Sequence, residues 1–271
     1  MTTEREVAVL LGSWLGGRAA EGFAIALLLL VALLVATWWS LRRWGVRRET
    51  SRLPPVAFSL LWLGAGFGLL VGAGAIFAEL AEGLDGDKAM GLFDDAFTAA
   101  VQRGTPPSVL QAFAAITRLG DPATLSVIGL LVFFALLRRH GIRLALIWAA
   151  AVGGNALLNV SLKAVFARAR PVHEDGLVLA QGFSFPSGHA SGSVVTYGML
   201  AYLALRLLPP RWHLPALLLA AVAAFSIGSS RVFLRVHYPS DVLAGFASGS
   251  AWLAMCILGV EAARRYRAAR A

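Results

Sequence analysis

Apolar runs about as long as a bilayer is thick, closed again and again by arginines, constrain this chain more than any other feature. A helix needs about 20 residues to cross the hydrocarbon core. Backbone inside that core must bond to itself, which a helix does. Seven runs reach or approach this length: residues 22–41, 56–80, 123–137, 144–162, 189–208, 214–228 and 241–260. The expected fold is all-α, a polytopic membrane helical bundle of about seven transmembrane helices. Residues 1–21 are mixed in character and are expected to form an interfacial lead-in. A cleaved signal peptide is the rival for the first run, but that run ends in Thr37-Trp38-Trp39 instead of small residues.

The arginines set the orientation. Arg42, Arg43, Arg47, Arg48 and Arg52 follow the first run, Arg138, Arg139 and Arg143 the third, and Arg264, Arg265, Arg267 and Arg270 the last. By the positive-inside rule these ends face the cytoplasm, with the N-terminus outside and the C-terminus inside. The net charge of +9 is thus topological, and no nucleic-acid partner is needed to explain it. Segment 81–107 falls on the outer side and carries Glu82, Asp85, Asp87, Asp94 and Asp95. Their spacing does not fit a calcium loop, so they are expected to form a solvated face. Within this segment, 91–101 suits an amphipathic helix lying on the membrane. Residues 108–119 suit a short helix leading to Gly120-Asp121-Pro122, a helix-start signal. Gly64, Gly66, Gly68, Gly72 and Gly74 in the second run favour close helix contact. No preceding strand or following lysine supports a nucleotide loop there. The single Cys256 excludes an internal disulfide, and no paired-cysteine or His-Glu-x-x-His metal pattern occurs.

Three polar clusters interrupt this apolar chain, and span parity brings all three to one face, expected to be the outer one. Ionisable groups at such places are costly unless paired or functional. The first is Lys163-Ala-Val-Phe-Ala-Arg168-Ala-Arg170-Pro171. Lys163 and Arg170 are near two helical turns apart, so their heads are expected to converge on an anion. Arg168 suits snorkelling at the membrane edge. The second is Pro186-Ser187-Gly188-His189. Ser187 is a natural N-cap, Gly188 admits close backbone approach, and helix N-terminal amides favour an anion beside His189. The third runs from Ser230 to Asp241. His237 and Asp241 are four apart around Pro239, which suits the first turn of a helix. The carboxylate then fixes one ring nitrogen and leaves the other free to attack. Arg231 supplies a planar fork of donors nearby. The plainer readings are a salt bridge, a capped turn and edge cations. Asn155 and Asn159, one stripe with Lys163, are expected to be interhelical glue.

In this order, Lys-x6-Arg-Pro, Pro-Ser-Gly-His and Ser-Arg-x5-His-x3-Asp resemble the signature motifs of the type 2 phosphatidic acid phosphatase superfamily, which also contains the vanadium haloperoxidases. The motifs lie within 144–260, and the helical layout extends the resemblance to about residue 56. The resemblance implies a six-helix phosphatase core at 56–262, an added helix within 1–55 and a basic tail at 263–271. It implies that His237 is the nucleophile, Asp241 its orienting partner and His189 the acid for the leaving oxygen. Lys163, Arg170, Ser187, Gly188 and Arg231 would form the phosphate cradle, with no metal or other cofactor. The implied substrate is a lipid phosphate or diphosphate of the undecaprenyl diphosphate, phosphatidylglycerophosphate or phosphatidic acid type. The enzyme would sit in a bacterial inner membrane with its site facing the periplasm. A lipid phosphotransferase could use the same groups. A haloperoxidase fits less well, since those relatives are typically soluble. An anion transporter or channel fits less well because the clusters lie at one face, not at the midplane. A purely structural scaffold leaves the three-part match unexplained. The sequence does not specify an oligomeric state.

Overall fold

The structure, a computed structural model, describes residues 2–45, 55–83, 88–171, 178 and 181–268. Arg47, Arg48, Arg52, Asp85, Asp87, His173 and Arg270 lie outside the described residues. Those residues form α-helices α1 (Thr2–Gly17), α2 (Ala19–Gly45), α3 (Pro55–Glu82), α4 (Ala89–Gly104), α5 (Pro107–Thr117), α6 (Pro122–His140), α7 (Ile142–Phe166), α8 (Gly188–Leu207), α9 (His213–Phe233) and α10 (Pro239–Ala268), with no strand among them.

Among the described residues five helices, α2, α6, α7, α9 and α10, are long and apolar enough to cross a membrane, two fewer than the seven spans expected. The other two expected to span, α3 and α8, are 28 and 20 residues long. The lower apolarity of α8 follows from its place. It packs against α7, α9 and α10 and buries Ser191, Gly192, Ser193 and Thr196. In such interiors small and polar residues let backbones approach and bond.

Helices α8 and α10 run parallel and very close. A Cβ added at Gly245 would lie 2.6 Å from the Ser187 carbonyl oxygen, and one at Gly249 would lie 2.9 Å from Ser191 Cα. At the other end Arg206 of α8 meets Glu261 of α10 at 2.7 Å. This packing holds the first turns of both helices side by side, which brings the second and third polar clusters together. The glycine-rich run of α3 is used more sparingly than expected. A Cβ at Gly66 would come within 2.6 Å of Leu258 on α10, whereas Gly64, Gly68, Gly72 and Gly74 face open space.

The outer elements are also packed. Cβ atoms at Gly12 and Gly16 of α1 would lie 2.6 and 2.4 Å from the carbonyl oxygens of Phe93 and Phe97 on α4. Residues 2–17 are thus a helix seated on α4. Phe23 of α2 stacks on Phe225 of α9 and meets Phe113 and Phe233 edge-on. Cys256 packs at the rim of the core around Trp148 and Met199.

Candidate active site

The first polar cluster leaves its helix early. α7 ends at Phe166, and Ala167 takes a left-handed φ of 45°. Lys163 and Arg170 therefore do not converge by helical periodicity, as the spacing predicted. The chain turns and folds back, and both cations donate to the carbonyl oxygen of Phe183. Arg170 also donates to the carbonyls of Gln181, Gly182 and Val236.

The third cluster is built by a second turn. α9 carries Arg231 in its last turn. Arg235 then adopts φ 57°, and the N–H groups of Val236 and His237 return to the Arg231 carbonyl at 3.1 and 3.3 Å. α10 starts at Pro239, as its first-turn preference predicted. His237 Nδ1 faces Asp241 Oδ2 at 3.3 Å, and that oxygen also accepts the Tyr238 N–H at 2.9 Å. On the other side of the ring, Arg170 Nη1 donates to His237 Nε2 at 3.0 Å. A guanidinium can only donate. Nε2 therefore carries the lone pair, and Nδ1–H points to Asp241. Burial pushes His237 down to about 3, against the pull of Asp241, so the ring is neutral. A neutral imidazole whose Nε2 lone pair is held by a hydrogen bond from Arg170 is a competent nucleophile once that donor turns to a ligand.

Behind this pair lies a network that the sequence reading missed. Arg168 is not at the membrane edge. Its side chain is 11% exposed and donates to Asp241 Oδ1 at 2.7 Å and to Asp94 Oδ2 at 2.8 Å. It also lies over the Tyr238 ring, 4.3 Å from its centroid. Asp94, expected on a solvated face, is fully buried and bonds both the N–H and the hydroxyl of Ser240. Two carboxylates that face inward from α4 and α10 draw the guanidinium in, so it does not snorkel. Burial opposes the charge on Arg168, but Asp241 and Asp94 outweigh it and hold the group above its ordinary value. Burial leaves the Asp94 carboxyl raised despite those bonds. The other described acids of this segment, Glu82 and Asp95, are exposed as expected.

The second cluster behaves as an N-cap. Ser187 accepts from the Ala190 N–H at 3.4 Å, and its own N–H donates to the Asp241 carbonyl at 2.9 Å. Ser187 is fully buried, and its hydroxyl is engaged in the cap. Gly188 lines the cavity, and a Cβ there would lie 2.9 Å from Asn159 Oδ1. Asn159 donates to the Pro186 carbonyl and to Ser191 Oγ, the interhelical role expected of it. His189 Nε2 contacts Asp121 Oδ1 at 2.9 Å. Asp121 occupies the N-cap position of α6 without a side-chain cap bond. Its carboxylate is used on His189 instead.

These groups surround one end of a cavity of about 1050 Å³. Lys163, Arg170, His189, Arg231 and His237 all line it. Arg231 donates to Thr117 Oγ1 at 2.6 Å, while its buried Nε has no partner among the described residues. Away from the charged end the cavity runs between α6 and α7, past Leu125, Gly129, Phe133, Trp148 and Val152. From Asp121 to Phe133 the rise along α6 is about 18 Å. The site can thus hold an anion beside a neutral imidazole and an apolar chain behind it.

The profile of the PAP2 superfamily matches residues 142–265. Phosphatidylglycerophosphatase B of Bacillus subtilis is 33% identical over 162 residues, which span 58% of this chain and 77% of that one. Lipid A 1-phosphatase of Rhizobium johnstonii is 30% identical over 244 residues, 81% of this chain and 87% of that one. The crystal structure of a transmembrane PAP2-type phosphatidylglycerolphosphate phosphatase from Bacillus subtilis superposes with a TM-score of 0.64 at 28% identity. It covers 71% of this chain and 96% of its own. With the motifs, the helical bundle and these relatives in agreement, this integral membrane protein belongs to the PAP2 superfamily.

Proposed function

We propose that this protein hydrolyses the phosphate of a membrane lipid through a covalent phosphohistidine at His237, without a metal. One observation carries the reading: His237, whose Nε2 accepts a hydrogen bond from Arg170 Nη1, lines the cation-lined end of a cavity whose remainder is apolar. The relatives are lipid phosphatases by name, which supports the same substrate class here.

Lys163, Arg170 and Arg231 take the non-bridging oxygens, and the amides behind Gly188 at the start of α8 add helix-end donors. Arg170 Nη1 passes from His237 Nε2 to the phosphate, which frees the lone pair. Nε2 attacks phosphorus, and Asp241 accepts the Nδ1–H of the ring as it becomes charged. His189 protonates the leaving oxygen and then takes a proton from the water that cleaves the P–N bond. Phosphoryl transfer requires positioning and charge neutralisation more than covalent assistance, and fixed cations can supply both.

The test is phosphate release by purified protein from phosphatidylglycerophosphate, phosphatidic acid and undecaprenyl diphosphate. Activity is expected to survive chelator and to be inhibited by vanadate. Activity lost in chelator and restored by magnesium or zinc would refute the mechanism.

The site is expected to face the exterior of a bacterial inner membrane, because arginines close the opposite helix ends. In a Cys256→Ala background, a cysteine at Gln181 should react with an impermeant thiol reagent in intact cells. Cysteines at Arg139 and Arg265 should not. The opposite labelling pattern would reverse the orientation.

A further inference from the structure

Among the described residues Asp121 is the one carboxylate on the cavity wall, and it stands beside His189. We propose that Asp121 determines specificity: it favours phosphomonoesters, whose leaving group departs as a neutral alcohol, over diphosphates, whose leaving group is an anion. This rests on the phosphatase reading given above and narrows its substrate class.

The position of Asp121 is fixed by its surroundings. Pro122 begins α6, and Asp121 is extended at φ −62°, ψ 142°. The preceding residue leaves no room: a Cβ at Gly120 would lie 2.3 Å from Ile227 Cγ2 and 3.1 Å from His189 Cδ2. The turn is therefore pressed against α8 and α9, while the carboxylate remains 43% exposed and 2.9 Å from His189 Nε2.

The chemistry of the two substrates differs at this corner. In both, the P–N bond to His237 forms as the bond from the terminal phosphorus to its bridging oxygen breaks, with the electron pair going to that oxygen. An alkoxide is a poor leaving group and takes the proton of the His189 imidazolium, whose charge Asp121 stabilises. The departing oxygen of a diphosphate belongs to a phosphate, leaves as an anion and needs no proton. There His189 contributes little, while the Asp121 carboxylate repels the departing charge. In the second step water adds to phosphorus and the P–N bond breaks with its pair returning to Nε2; the water's proton goes to neutral His189 after an alcohol has left, and to the phosphate product where an anionic group has left and His189 still holds its proton.

Dodecyl phosphate and dodecyl diphosphate, identical in their tails, isolate this difference. With purified full-length protein, Asp121→Asn is expected to lower kcat/KM for the monophosphate at least tenfold, part of the general-acid effect. It should raise kcat/KM for the diphosphate by about tenfold, the size of a modest like-charge contact. Asp121→Glu should keep the wild-type preference. Added salt should speed the diphosphate reaction of the wild type more than that of Asp121→Asn, because repulsion is screened. A fall of both substrates by the same factor, or an unchanged ratio, overturns the proposal and leaves the phosphatase reading intact. Wild-type protein inactive on both substrates, or His237→Ala fully active, overturns that reading and the proposal with it.

Discussion

His237→Ala is expected to remove covalent phosphorylation and turnover together. A nucleophile that acts as a unit with its neighbours contributes on the order of 10⁶-fold, so residual phosphate release should fall below detection. Brief incubation with 32P-labelled lipid followed by alkaline denaturation reads the intermediate directly, since phosphohistidine survives base. His189→Ala should differ in kind. It should slow a lipid monoester by about 10²- to 10⁴-fold but spare an aryl phosphate, whose leaving oxygen needs little protonation. Arg231→Ala should slow both substrates by on the order of 10²- to 10³-fold, as loss of a donor to the equatorial oxygens. Full activity in His237→Ala, or an unchanged lipid-to-aryl ratio in His189→Ala, would reassign the two histidines.

Arg168→Ala is expected to be the most destabilising substitution near the site. It strands two buried carboxylates, Asp94 and Asp241, that share one guanidinium. Breaking a buried pair by removing one partner costs about 3–5 kcal/mol. Thermal unfolding in detergent should show a large fall in Tm. Arg168→Lys should recover only part of it, because an ammonium lacks the planar fork that serves both acids. The deficit should depend on pH. Asp94 already has a raised pKa, and loss of Arg168 raises it further above the unfolded value. A raised carboxyl favours the fold below its unfolded pKa and loses that contribution as pH rises through the folded pKa. The gap between variant and wild type should therefore narrow as pH falls from about 7 toward 5. A Tm equal to wild type at neutral pH would mean that Arg168 is dispensable to the fold.

The helices and the histidine pair were legible because their signals are local. Hydrophobic length marked the long helices, five of which among the described residues are apolar enough to span, and His237 with Asp241 formed a four-residue relation around a proline. The supporting network was not legible. Asp94 and Arg168 are 74 positions apart, and Asp121 and His189 are 68 apart. An acid in a polar segment looks solvated until a helix seats it against a cation. Asp121 looked like a cap because it precedes a proline at a helix start. The one signal that could have pointed to it was an acid at the same membrane face as the three clusters. The convergence of Lys163 and Arg170 was expected for the wrong reason, since a left-handed Ala167 is not written in any spacing.

The seating of α4 on the site has a bearing on recombination. The stretch that carries the family signature, residues 142–265, holds both histidines and the three cations that line the cavity. It does not hold Asp94, Thr117 or Asp121, which engage Arg168, Arg231 and His189 from outside it. The signature is not a transplantable cassette. Fused to a foreign scaffold, it would carry an arginine with one of its two carboxylates missing and a histidine without its acid. Chimeras between relatives should place their crossover before α4, so that each positive group travels with the acceptor it is bonded to.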